Sequence, residues 1–123
     1  MLDAGFLISV DRGERTAREY LTAALTHGTP LTTTHPVVAQ VWRDGARQAR
    51  LARFLQSVVV VPFDDGPAVG NLLARSGTSD VVDAHLVVVA VRRSEPILTG
   101  DLHDLEPLTA ALPDRRPKLL PWP

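Results

Sequence analysis

The sequence predicts an α/β domain in which a central parallel β-sheet is flanked by helices and the first strand is truncated. Three observations carry that expectation. Short β-branched or apolar runs alternate with longer stretches of helical period, and such alternation implies parallel strands joined by helical crossovers. No repeat or long linker interrupts the 123 residues, which is the length of one ordinary domain. The apolar share of 45% with 22% charged residues is globular in character.

Taken in order, Met1-Leu2-Asp3 reads as the end of a strand. Strands usually run for ~5–6 residues, so this one is expected to be a stub whose natural start lies upstream of Met1. Ala4 to Val10 reads as a short apolar helix broken at Gly13, and Glu14 to Thr26 as an amphipathic helix ended by Gly28 and Pro30. Pro30 to Thr34 reads as a strand, and Pro36 opens a helix through Val37, Val38, Val41 and Trp42. After Gly45, Ala46 to Ser57 reads as a helix with Leu51, Phe54 and Leu55 inward. Val58 to Pro62 has four consecutive Val bounded by turn residues and is expected to be a strand buried on both faces. A helix from about Pro67 to Arg75 follows. Ser79 to Arg93 is rich in β-branched residues, but its length and its Thr78-Ser79-Asp80 cap favour a buried helix. Pro96 to Thr99 is a strand, Leu102 to Leu112 a helix and Lys118 to Leu120 a last short strand.

Composition closes several classes. Without cysteine there is no disulfide framework, thiolate metal site or cysteine nucleophile, and a cytoplasmic location is expected. The single lysine, Lys118, lies between Pro117 and Leu119, so no phosphate-binding Gly-Lys-Ser/Thr loop exists. No apolar run reaches the ~18–20 residues of a membrane span. A net charge of −1 argues against holding nucleic acid by bulk charge alone.

Ligands of parallel α/β sheets bind beyond the carboxyl ends of the strands. Acidic residues fall there: Asp3, Asp101 after Ile97-Leu98-Thr99-Gly100, and Asp80 with Asp83, which share a helix face at a spacing of three. Gathered carboxylates repel one another unless protons or cations neutralise them, and hard divalent cations suit such oxygen donors. A site of this kind suits phosphodiester hydrolysis, with Thr99 able to orient a carboxylate or water. Each acid also has a plainer role. Asp80, Asp83 and Asp101 can cap helices or complement their dipoles, and Asp3 can simply be solvated.

The segments Leu2-Asp3-Ala4-Gly5, Ser79-Asp80-Val81-Val82-Asp83-Ala84 and Ile97-Leu98-Thr99-Gly100-Asp101 resemble, in order and spacing along nearly the whole chain, the acidic motifs of PIN-domain nucleases. They resemble in particular the VapC-like toxins of bacterial toxin–antitoxin pairs. The resemblance implies a PIN-like fold, Mg²⁺- or Mn²⁺-dependent cleavage of single-stranded RNA, a homodimer and a small antitoxin protein that blocks the site. It makes Asp3, Asp83 and Asp101 the core catalytic and metal-binding residues, with Asp80 an additional acid. The chain departs from the family where a Glu is usual: the matching residue is Gln40, which brings no charge to offset a second cation.

Other candidates have simpler readings. Asp64-Asp65 before Gly66-Pro67 reads as a turn and helix cap, and His27 and His35 as loop residues. His27, His35, His85 and His103 lack paired metal spacing. Arg43, Arg47, Arg50 and Arg53 are expected to form a basic stripe on the outer side of a helix, serving as a solvated face, an RNA track or a dimer surface. Trp42 reads as core or interface, and Pro117 to Pro123 as a packed tail.

Three functions are distinguishable at this point. A metal-dependent endoribonuclease leads. A catalytically weak or inactive PIN-like module that binds RNA or an antitoxin-like partner is kept open by Gln40. A phospho-acceptor domain using Asp64 or Asp65 lacks the acidic pair after strand one and the late lysine that it needs. One bound divalent cation would take the net charge to about +1 and two to about +3, making the surface receptive to RNA.

Overall fold

A computed structural model describes all of residues 1–123. Seven helices alternate with four short strands: α1 (Ala4–Asp11), α2 (Arg15–Thr26), β1 (Thr32–Thr34), α3 (His35–Val41), α4 (Ala49–Leu55), β2 (Val59–Val61), α5 (Gly66–Ser76), α6 (Val81–Arg93), β3 (Ile97–Thr99), α7 (Leu102–Ala110) and β4 (Leu119–Pro121). β1 pairs in parallel with β2, Thr32 opposite Val59, and β3 in parallel with β4, Ile97 opposite Leu119. Residues 1–3 lie between the two pairs. The Leu2 N–H donates to the Thr32 carbonyl at 2.8 Å, Leu98 N–H to the Met1 carbonyl at 2.8 Å, and Asp3 N–H to the Leu98 carbonyl at 3.2 Å. The Thr33 hydroxyl adds a bond to the Leu2 carbonyl. Leu2 and Leu98 form a single parallel bridge, the reduced strand that the sequence leads one to expect.

Helix α1 has apolar residues on nearly every side and buries Phe6, Leu7, Ser9 and Val10, as a helix without a polar face must. Its Phe6 ring stands edge-on to Trp122 at 4.8 Å and to Tyr20 at 5.3 Å, and Trp122 donates from Nε1 to the Ser9 hydroxyl at 3.1 Å. The C-terminal tail is thereby packed as expected, and the Trp122 N–H extends the β3 ladder through the Thr99 carbonyl. Helix α6, the segment of mixed signals, buries six residues between Ala84 and Ala90. Its β-branched residues fill a core rather than a strand, because a 13-residue run suits a helix.

Several expectations are corrected. β2 is not buried on both faces: it pairs only with β1, so it lies at an edge, and Val59 is 49% exposed. Helix α4 begins at Ala49 rather than Ala46, so Arg43 and Arg47 lie in the preceding turn while Arg50 and Arg53 are helical. The four arginines therefore share no single helix stripe. The turn is held instead by the buried Gln48, whose Oε1 accepts from the Arg43 and Asp44 N–H groups and whose Nε2 donates to the Val41 carbonyl. These groups at the end of α3 are satisfied by a side chain in place of further helical bonds. His35 opens α3 rather than lying in a loop, while His27 lies in the turn just after α2, as expected. Asp65 sits at the start of α5 but makes no capping bond, and Asp64 pairs with His85 and Arg92. Trp42 is partly buried against the core. No helix is long and apolar enough to cross a membrane.

Because Phe6 is fully buried at the centre of the aromatic group, Phe6→Ala should cost ~3–5 kcal/mol of stability. Trp122→Phe, which keeps a ring but loses the bond to Ser9, should cost ~1 kcal/mol. Urea denaturation measures both, and equal losses would contradict this packing.

Candidate acidic site

A cleft of about 330 Å³ opens where residues 1–3 and β3 end, beside the starts of α1, α6 and α7. Five carboxylates line it, from Asp3, Asp80, Asp83, Asp101 and Asp104, together with Gln40 and Thr99, and no Lys or Arg does. The structure therefore brings together the four expected acids and both supporting residues. It does not bring Arg43, Arg47 or Arg50 to the cleft wall.

Each acid is placed by its backbone. Asp3 caps α1: Oδ1 accepts from the Gly5 and Phe6 N–H groups at 3.0 and 3.4 Å, and Oδ2 accepts from the Gly100 N–H at 3.2 Å. It is half-buried rather than solvated, and burial pushes its carboxyl above the usual range, opposed by the Thr99 hydroxyl and these N–H groups. A Cβ at Gly5 would stand 3.4 Å from Asp3 Oδ1 and 3.6 Å from the Gly100 nitrogen. Asp80 caps α6 by accepting from the Asp83 N–H at 3.0 Å, and Asp101 caps α7 by accepting from the Asp104 N–H at 3.2 Å. The Asp101 N–H in turn donates to the Thr99 hydroxyl at 2.9 Å.

Asp83 is the most perturbed of the set. Burial first, then the charges of Asp80, Asp104, Asp3 and Asp101, push its carboxyl up to about 6. Asp104, raised by its hydrogen bond and charge interaction with Asp101, is the acid that sequence reasoning missed. The signal was present: Asp104 stands three residues beyond a helix cap, as Asp83 does beyond Asp80. His103 lines an adjoining depression together with Asp80, Asp83 and Asp104. His85 is buried, its Nε2 turned toward Asp64, and it takes no part in the cleft.

The donor set is chemically that of a hard divalent cation, being all oxygen and strongly anionic. No three of the acidic or histidine side chains stand ready around one point as a ligand group. The fit is thus one of charge and donor type, distributed round the cleft.

An α/β chain with an acidic cleft at its strand ends is the class that fold and site define. Over 100% of its length the chain matches 98% of a chain in the crystal structure of VapBC2 from Rickettsia felis bound to a DNA fragment from the VapBC2 promoter. The TM-score is 0.71 at 14% sequence identity, so the fold is what the two share. No family profile matches the chain, and no curated protein matches it in sequence.

The raised Asp83 carboxyl has a consequence for stability. A carboxyl with a higher pKa folded than unfolded favours the fold while protonated, and that contribution is lost as pH rises from about 4 through about 6. In chelator, wild-type Tm should therefore fall across that window, and Asp83→Asn should flatten the fall and raise Tm at neutral pH. A wild-type profile unchanged by Asp83→Asn would contradict the crowding.

Proposed function

We propose that this protein is a Mg²⁺- or Mn²⁺-dependent endoribonuclease of the VapC-like, PIN-domain type, cleaving phosphodiester bonds of single-stranded RNA as the toxin of a toxin–antitoxin pair. The observation that carries this reading is the cleft itself, five carboxylates round one opening with no basic side chain among them. The fold shared with a chain of VapBC2 and the ordered acidic motifs support it. A small antitoxin protein covering the cleft and a homodimeric assembly belong to the same reading.

A divalent cation bound here would polarise a phosphoryl oxygen and supply hydroxide from water near neutral pH. Asp3 offers a carboxylate held by three N–H groups and therefore fixed in direction. Asp80 and Asp101 each use Oδ1 for a helix cap, which fixes the carboxylate at the cleft wall. Asp83 gives up its proton near pH 6 and is largely anionic at neutral pH. Thr99 accepts from the Asp101 N–H, and its hydroxyl favours the ionised form of Asp3. Mg²⁺ commonly keeps several waters and takes only one or two carboxylates directly, which suits acids spread round a cleft. Gln40, exposed at the rim, is the observation that favours the second reading, a module that holds RNA or a partner without cutting.

Purified protein should cleave single-stranded RNA in Mg²⁺ or Mn²⁺ and stop in chelator. Asp83→Asn and Asp101→Asn should each lower the rate by at least about 100-fold, and Thr99→Val by roughly 10–100-fold, as loss of an orienting partner does. Cleavage that survives chelator or both Asp substitutions overturns the nuclease reading. Gln40→Glu, which restores a carboxylate at the rim, should lower the Mg²⁺ concentration needed for half-maximal rate in a metal titration.

A further inference from the structure

The far end of α6 carries the opposite charge. Beyond its last turn, Ser94 to Pro96 and the segment Arg115 to Lys118 enclose a cleft of about 470 Å³ with Arg115, Arg116 and Lys118 on its wall. None of the ion pairs in the chain uses these three bases. Their side-chain hydrogen bonds go to neutral acceptors: Arg115 donates to the Ser94 hydroxyl at 3.4 Å and Arg116 to the Ala110 carbonyl at 3.1 Å. The one carboxylate in the wall, Glu95, is already committed to Arg93, to the Met1 ammonium and to the Thr32 hydroxyl. Ser94 itself is in the left-handed region, φ 54°, where glycine is the ordinary choice at a helix end. Strain of this kind gathers at functional places, and here it sets a hydroxyl beside Arg115.

We propose that this basic cleft is an anchor for the phosphate backbone of single-stranded RNA, separate from the acidic cleft. The inference rests on the nuclease reading for its choice of RNA. Guanidinium and ammonium donors free of carboxylate partners suit phosphate oxygens, and three bases against one already paired carboxylate leave the cleft net positive. The acidic cleft by itself repels RNA, so a strand needs cationic purchase elsewhere. The two clefts stand at opposite ends of a 13-residue helix, about 18 Å apart by helical rise, a span that one extended strand can bridge.

The test is fluorescence anisotropy of a labelled oligouridylate in chelator, where no metal contributes and nothing is cut. Combined Arg115→Gln, Arg116→Gln and Lys118→Gln should weaken binding by about ten-fold or more. The slope of log affinity against log salt should fall by about 2, at roughly 0.7 for each phosphate no longer neutralised. Arg15→Gln with Arg18→Gln, on the exposed face of α2, is the control for bulk charge and should change little. Unchanged thermal melts establish that the triple variant is folded, and Arg115→Gln with Lys118→Gln repeats the test without touching the Arg116 bond to Ala110. Equal losses in the α2 control, or wild-type affinity and slope in the triple variant, overturn the anchor. Displacement of the RNA by oligoglutamate as readily as by unlabelled oligouridylate also overturns it, in favour of an acidic protein partner. Cleavage in Mg²⁺ is scored separately: cutting without the anchor effect sinks only the anchor, and anchored binding without cutting sinks only the nuclease.

Discussion

The structure depends on three backbone hydrogen bonds that seat residues 1–3 between β1 and β3. Through them the two strand pairs are joined, and α1 starts at a fixed place directly behind Asp3. Strands of three residues bury little surface alone. Their positions are enforced by α1 and α6, whose buried faces fill the space on which the pairs rest. Losing the seat of residues 1–3 would separate Asp3 from Gly100 and open the cleft on that side.

Three helices begin at the cleft, and each begins with one of its acids. Asp3, Asp80 and Asp101 cap α1, α6 and α7 respectively. Capping and function, which look like alternatives in the sequence, are compatible here. A cap occupies the carboxylate with N–H groups, and the positive helix end eases the accumulation of negative charge. The compensation is incomplete, since neighbouring acids still raise the carboxyls of Asp83 and Asp104. Helix α6 then separates charge along its axis, with Asp80 and Asp83 at one end, Arg92 and Arg93 at the other, and an apolar middle.

Most elements were legible because their signals are local. The caps at Asp80 and Asp101, the break at Gly13 and the apolar runs each act within a few residues. Where the reading failed, distant partners decided. The four-valine strand has the composition of a buried one, yet its neighbours place it at an edge. The arginine spacing is helical, yet Gln48 takes backbone groups at the end of α3 and holds residues 42–48 as a turn, with α4 starting at Ala49. Asp64 and Asp65 have turn composition, while the Asp64 partners, His85 and Arg92, lie 21 and 28 residues away.

The sequence by itself determined the alternation of helices and strands, the helix caps and the four acids worth watching, since all follow from spacing and residue type. Tertiary structure alone decided that these acids share one cleft with Asp104, that no base enters it, and that three unpaired bases meet at the opposite end. The physical reason is that charge acts through space. The cost of crowding Asp83 depends on Asp3, Asp80, Asp101 and Asp104 at once, and three of those four are brought beside it only by the fold.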